Sequence, residues 1–121
     1  MCEEITRFIL NNRLLTKNLK DSRHLINSLQ KKYFCKTRLL ESRSSSTDIG
    51  ANIYADELRR SHCRDIFFAN IQRVKESIRV LEEFSKLINK KSALEFKKLR
   101  YQVYEIEKKS IKEISALHSC K

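Results

Sequence analysis

One glycine and no proline occur in this chain of 121 residues, and that shortage decides most of what it can fold into. Tight hairpins, glycine-rich phosphate loops and turn-dense sandwiches all need residues that reach positive φ or pre-set a turn. A chain without them runs in long helices joined by few breaks. At this length there is material for one core and not for two. With 40% hydrophobic and 34% charged residues, the balance is that of a packed helical domain and not of a disordered one. The expected fold is therefore all-α, a single domain over 1–121 built as a bundle of about five helices.

Composition narrows the setting further. No apolar run approaches the roughly 20 residues that spanning a bilayer requires, and no signal-peptide pattern opens the chain, so the expectation is a cytoplasmic protein with no membrane partner. Cys2, Cys35, Cys63 and Cys120 form no closely spaced pair, which reads as reduced thiols. His62–Cys63 and His118–Cys120 carry zinc-type ligands, but no knuckle brings two together, and no metal site is expected. A net charge of +11 favours phosphate-bearing partners. Its Lys and Arg residues are spread along the chain, which equally describes a solvated helical surface.

Apolar spacing divides the chain. Residues 1–11 read as a helix with Ile5, Phe8 and Ile9 on one side, interrupted by Asn11–Asn12. A second helix runs from about Leu14 to Lys31 through Leu15, Leu19, Ile26 and Leu29. Residues 1–32 form one unit and 33–62 a connecting one, in which periodicity lapses from Tyr33 to Asn52. That stretch reads as a loop, where helical bundles tend to carry function, with Gly50 free to take a positive φ. "IYADELRRSH", Ile53–His62, reads as a short helix. From 63 onward, Asp65 fits an N-cap and Phe67, Ile71, Val74, Ile78 and Leu81 alternate spacings of four and three, a packing seam that runs to about Ile88. Asn89 suits a C′ position, with Lys90–Lys91 at the negative end of the helix dipole. The last helix, about Ser92 to His118, repeats the rhythm in Phe96, Leu99, Val103, Ile106 and Leu117. The two long helices form an antiparallel hairpin.

The chain also repeats itself. "CEEITRFI" (Cys2–Ile9) aligns with "LEEFSKLI" (Leu81–Ile88), placing Glu3 on Glu82 and Arg7 on Lys86. After a slip of two residues, "LKDSRH" (Leu19–His24) aligns with "FKKLRY" (Phe96–Tyr101), placing Lys20 on Lys97 and Arg23 on Arg100. The second copy has a half-helix ahead of Leu81 that the first lacks, and the expectation is a relative truncated at its start.

Three patterns carry a resemblance: "AN-x-x-R-x-x-E-x-x-R-x-L-E-E" (Ala69–Glu83), "LRYQVYEIEK" (Leu99–Lys108) and "R-x-x-x-x-D-I-G" (Arg43–Gly50). Together they resemble the helical domain that precedes the barrel in some bacterial thiamine phosphate synthases, or stands alone. Members of that family are described as an alternative type of hydroxymethylpyrimidine phosphate kinase. The resemblance implies a role in thiamine biosynthesis: ATP-dependent phosphorylation of hydroxymethylpyrimidine phosphate to the diphosphate, with magnesium, or an accessory domain for thiamine phosphate synthase. It also implies thiamine phosphate synthase as a partner and a homo-oligomer. By the same resemblance, Asp48, Arg73 and Glu76 are the catalytic candidates. Arg43, Gly50, Asn70, Arg79, Arg100 and Tyr101 are the substrate-binding ones.

Read from chemistry alone, the same residues keep other roles open. Arginine forks and a carboxylate suit phosphoryl transfer, yet no P-loop is present. Asn70 and Arg73, at the edge of the apolar seam, equally fit an interhelical hydrogen-bond network. Glu76, Arg79 and Glu83 suit surface ion pairs, and Tyr101 and Tyr104 suit core or edge aromatics. A basic helical module that binds nucleic acid or a protein is the competing class. Neither a helix-turn-helix pattern nor basic–aromatic interleaving supports it.

Overall fold

A computed structural model of the chain describes residues 1–52 and 58–119, and every regular element among them is helical. The order is α1 (Cys2–Glu4), which runs on as one π-helical turn, Ile5–Ile9; α2 (Arg13–Tyr33); α3 (Lys36–Glu41); a 3-10 turn, Ile49–Ala51; α4 (Cys63–Ser85); and α5 (Lys90–Ser119). No helix of the described residues is long and apolar enough to cross a membrane.

The seam read from the sequence is what packs. Phe67, Ile71 and Ile78 of α4 are buried against Phe96, Leu99, Val103 and Ile114 of α5, with Val74 and Leu81 partly covered. Each such side chain contributes about 1.5–3 kcal/mol through its removal from water. α5 is the central helix, flanked by α4 and α2. Its contacts with α4 run in opposite order along the two helices, Lys75 to Glu107 and Glu82 to Arg100. On the other side, Tyr33 at the end of α2 donates to Glu95 near the start of α5 at 2.8 Å. Both neighbours are therefore antiparallel to α5 and parallel to each other, and α1 packs on both of them.

Several expectations are corrected. Phe8 and Ile9 do not share a buried side with Ile5: Phe8 is 69% exposed, and the covered residues are Cys2, Ile5 and Thr6. The cause is the π turn, in which the Leu10 amide donates to the Ile5 carbonyl. Widening the helix by one residue rotates Phe8 and Ile9 outward. The stretch 33–52 is not all loop, since α3 forms there, although it buries nothing. Gly50 has no positive φ; its amide donates to Asp48 Oδ1 at 2.8 Å in a local turn. Asp65 is the third residue of α4 and not its N-cap, which is His62; the Asp65 carboxylate accepts from the Ser61 and His62 amides at 3.0 Å. Asn89 does not end α4 but caps α5, accepting from the Lys91 amide at 2.8 Å. Leu117 lies outside the buried stripe, which continues through Ser110 and Ile114. The short helix expected over Ile53–His62 falls partly on 53–57, outside the described residues.

Aligned positions of the two copies make the same contacts. Arg23 Nε donates to Glu3 Oε2 at 2.9 Å, and Arg100 Nε donates to Glu82 Oε2 at 2.7 Å. Thr6 and Ser85 are both buried, and their carbonyls accept from the amides of Asn12 and Asn89. Those two asparagines each cap the helix that follows. From Thr6 to Asn12 is six residues and from Ser85 to Asn89 four, so the slip lies in this connection. The π turn and Asn11, at φ 49°, accommodate it. Asn12 takes the Leu15 amide at 2.9 Å. Asn12→Ala is expected to lower stability by about 1 kcal/mol, read as a shift in the urea midpoint at unchanged slope.

Candidate functional site

Because α2 and α4 run parallel and both pack on α5, their facing sides leave a cleft between them. It has a volume of about 410 Å3, and Met1, Cys2 and Glu3 contribute to its wall. Its lining is largely apolar: Leu19 and Ile26 from α2, Val74, Ile78 and Leu81 from α4, and Val103 of α5. Polar groups enter from both helices. α4 supplies Asn70, Arg73 and Ser77 at helical spacing, so that they stack along one face. From α2 come Ser22 and Arg23. An apolar hollow with a few convergent polar groups is the usual form of a small-molecule site.

These groups divide by what they are bonded to. Asn70 Nδ2 donates to the Ile66 carbonyl at 2.7 Å, which fixes the amide and leaves its oxygen as the acceptor. Arg23 is committed to Glu3, whose hydrogen bond and charge push the guanidinium above its ordinary value. Burial pushes the Cys2 thiol up to about 11; it is a neutral group at pH 7 and donates to the Phe67 carbonyl. Arg73 is exposed and makes no ion pair or hydrogen bond among the described residues. A cation in a largely apolar cleft, with no ion pair of its own among the described residues, is placed to take an anion.

The remaining candidates lie elsewhere. Arg100 is buried on Glu82, and its second edge donates to Tyr104 Oη at 2.7 Å. Tyr101 is exposed at its side, ring edge to face with Tyr104. Arg79 bridges Glu82 and Glu83 on the outside of α4, at 3.3 and 3.1 Å. Glu76 accepts from Gln72 on the same helix. Arg43, Asp48 and Gly50 are exposed, and no hydrogen bond or ion pair among the described residues joins them to the long helices. Of the nine candidate residues, the cleft therefore brings together Asn70 and Arg73 alone. Sequence reasoning missed the part played by α1. The signal was present in the repeat, where Glu3 and Arg23 fall on Glu82 and Arg100.

Among the described residues no group of three His, Cys, Asp or Glu side chains converges that could hold a metal ion. The Asp48 carboxylate is engaged in its own turn and Glu76 in a pair with Gln72. These residues do not form a protein cage for magnesium.

The architecture defines a class, the all-α domains built from repeated helical hairpins with a cleft between parallel helices. Within it, the chain belongs to the ThiD2 family, whose pattern it matches over residues 1–109. It is 35% identical over 106 residues to a thiamine-phosphate synthase of Synechocystis sp., covering 87% of this chain and 29% of that protein. A thiamine-phosphate synthase of Nostoc punctiforme is 37% identical over 106 residues, with 87% and 29% covered. One of Rhodopirellula baltica is 32% identical over 103 residues, with 84% and 27% covered. The chain thus spans less than a third of the length of these curated relatives. No solved structure matches it.

Proposed function

We propose that this chain acts in thiamine biosynthesis as a kinase that converts hydroxymethylpyrimidine phosphate to the diphosphate at the expense of ATP. The observation that carries the reading is the unpaired Arg73 beside Asn70 in a cleft whose walls are largely aliphatic. The aliphatic walls suit the faces of a pyrimidine ring. The Asn70 amide oxygen can accept from an exocyclic amino group. The Arg73 fork can hold the phosphate that receives the new phosphoryl group. Phosphoryl transfer asks little covalent chemistry of the protein, and positioning with positive charge supplies most of the catalysis. Family membership and the thiamine-phosphate synthases among its relatives support the pathway. The thiamine-phosphate synthase reaction, which those relatives are named for, is a partner activity in this reading.

The test is incubation of the folded chain with hydroxymethylpyrimidine phosphate and Mg-ATP, with the diphosphate followed by mass spectrometry. Product is expected, and Arg73→Ala is expected to slow its formation at least tenfold, about 1.4 kcal/mol of transition-state stabilisation. A folded wild-type chain that makes no product, or an Arg73→Ala variant as fast as wild type, would remove the reading.

A further inference from the structure

A second cleft, also of about 410 Å3, lies between the π turn and the first turns of α2. It is lined by Arg7, Asn11, Asn12, Arg13, Thr16, Lys17 and Lys20. We propose that it is a binding site for the phosphate chain of a small polyphosphate, such as a nucleoside triphosphate or an inorganic triphosphate. The inference goes beyond the reading of the Arg73 cleft and does not depend on turnover there.

Charge carries the argument. Four cationic side chains line the cleft, and no carboxylate does. Among the described residues none of the four has an acidic partner, whereas Arg23, Lys75, Arg79, Lys86 and Arg100 are all paired. Arg13, Lys17 and Lys20 are spaced i, i+4, i+7 on one face of α2, where like charges repel. They also stand at the wrong end of the helix: the first turns of α2 are the positive pole of its dipole, and its first turn contains no acid. α4 is built the other way, with Asp65 in its first turn. The fold thus gathers positive charge where it destabilises the free protein, and an anion seated there would relieve it. Arg7 completes the wall from across the connection, its guanidinium 4.8 Å from the Phe8 ring centre. The reversal at Asn11, φ 49°, brings the π turn over the start of α2.

The ligand class follows from the lining. Four cations are more than the charge of about −2 on a single phosphate balances, so a chain of two or three is the better match. No aromatic side chain lines the cleft. Binders of single-stranded nucleic acid stack bases on aromatics along an extended track, and this hollow offers neither.

The experiment is titration calorimetry of the full chain with inorganic triphosphate and, separately, with ATP, both without metal ions. One equivalent is expected to bind. Arg13→Glu/Lys17→Glu is expected to weaken binding at least tenfold while keeping its helix content by circular dichroism, since acids suit that end of α2. Arg13→Lys/Lys17→Arg is expected to retain affinity, and Arg73→Ala to bind as wild type. Equal affinities would identify the bare phosphate chain as sufficient, and tighter ATP binding would identify the nucleotide; both support the site. The proposal is overturned by absence of binding to the folded wild type or by undiminished binding to the charge-reversed variant. Loss of binding in Arg73→Ala alone, or a short oligonucleotide of arbitrary sequence binding more tightly than triphosphate, would also overturn it.

Discussion

Glu82→Ala is expected to destabilise the chain by about 3–5 kcal/mol, a large part of the stability of a domain this size. The side chain of Glu82 is 4% exposed and that of Arg100 10%. Two hydrogen bonds join them, at 2.7 and 3.3 Å. Removing the carboxylate leaves a guanidinium buried beside Tyr104 without its counter-charge. The cost arises from that stranded charge and not from the net worth of the pair, so replacing both partners, Glu82→Met/Arg100→Met, is expected to restore most of the loss. Urea denaturation of the two single variants and the double gives the coupling directly.

The same pair makes stability depend on acid. Burial by itself would raise the Glu82 carboxyl. The hydrogen bonds and charge of Arg100, aided by Arg79 and Lys86, outweigh burial and hold it below its ordinary value of 4.5. A group depressed in this way contributes stability that is fully present above the unfolded-state value and is lost as pH falls through the folded-state one. Part of the wild-type loss of stability below about pH 4.5 is therefore expected to vanish in Glu82→Gln, whose amide does not titrate there.

Phe67→Ala is expected to cost about 3–5 kcal/mol, from lost transfer energy and the cavity left behind. Phe67 is 0% exposed. Its ring meets Phe68 edge to face at 6.2 Å between centres, and its carbonyl receives the Cys2 thiol. The residue stands where α1 meets α4, so relaxation cannot fill the void without moving α1. Phe84→Ala, an aromatic of the same helix that is largely exposed, is expected to change stability by no more than about 0.5 kcal/mol. Thermal unfolding of the two variants side by side checks the contrast.

What the sequence showed follows from the range of the forces concerned. The α4 and α5 seams were legible because burial along a regular helix repeats every three or four residues. Asn70 and Arg73 were legible as polar residues at the margin of that seam. Helix ends were harder, since an asparagine between two helices can close one or open the next. Only the direction of its hydrogen bond, from Lys91 to Asn89, decides. The π turn left no periodic trace, because one residue added to a turn rotates the apolar face and Phe8 and Ile9 still look in phase. The Arg43–Gly50 loop was grouped with Asn70 and Arg73 through shared motifs, a relation in sequence that the described contacts do not express in space. The clefts were least legible: the Arg73 cleft brings α1 and α2 against α4 from a distant part of the chain, and the basic one depends on the π turn and the reversal at Asn11.

That shared wall has a consequence for how the molecule responds to ligands. Met1, Cys2 and Glu3 line the Arg73 cleft, and Arg7, about one turn further on, lines the basic one. The first dozen residues are thus a common panel between two rooms. An occupant of either room that holds this panel in place would lower the cost of shaping the other. Such an effect runs equally in both directions: an occupant of either cleft would favour binding in the other.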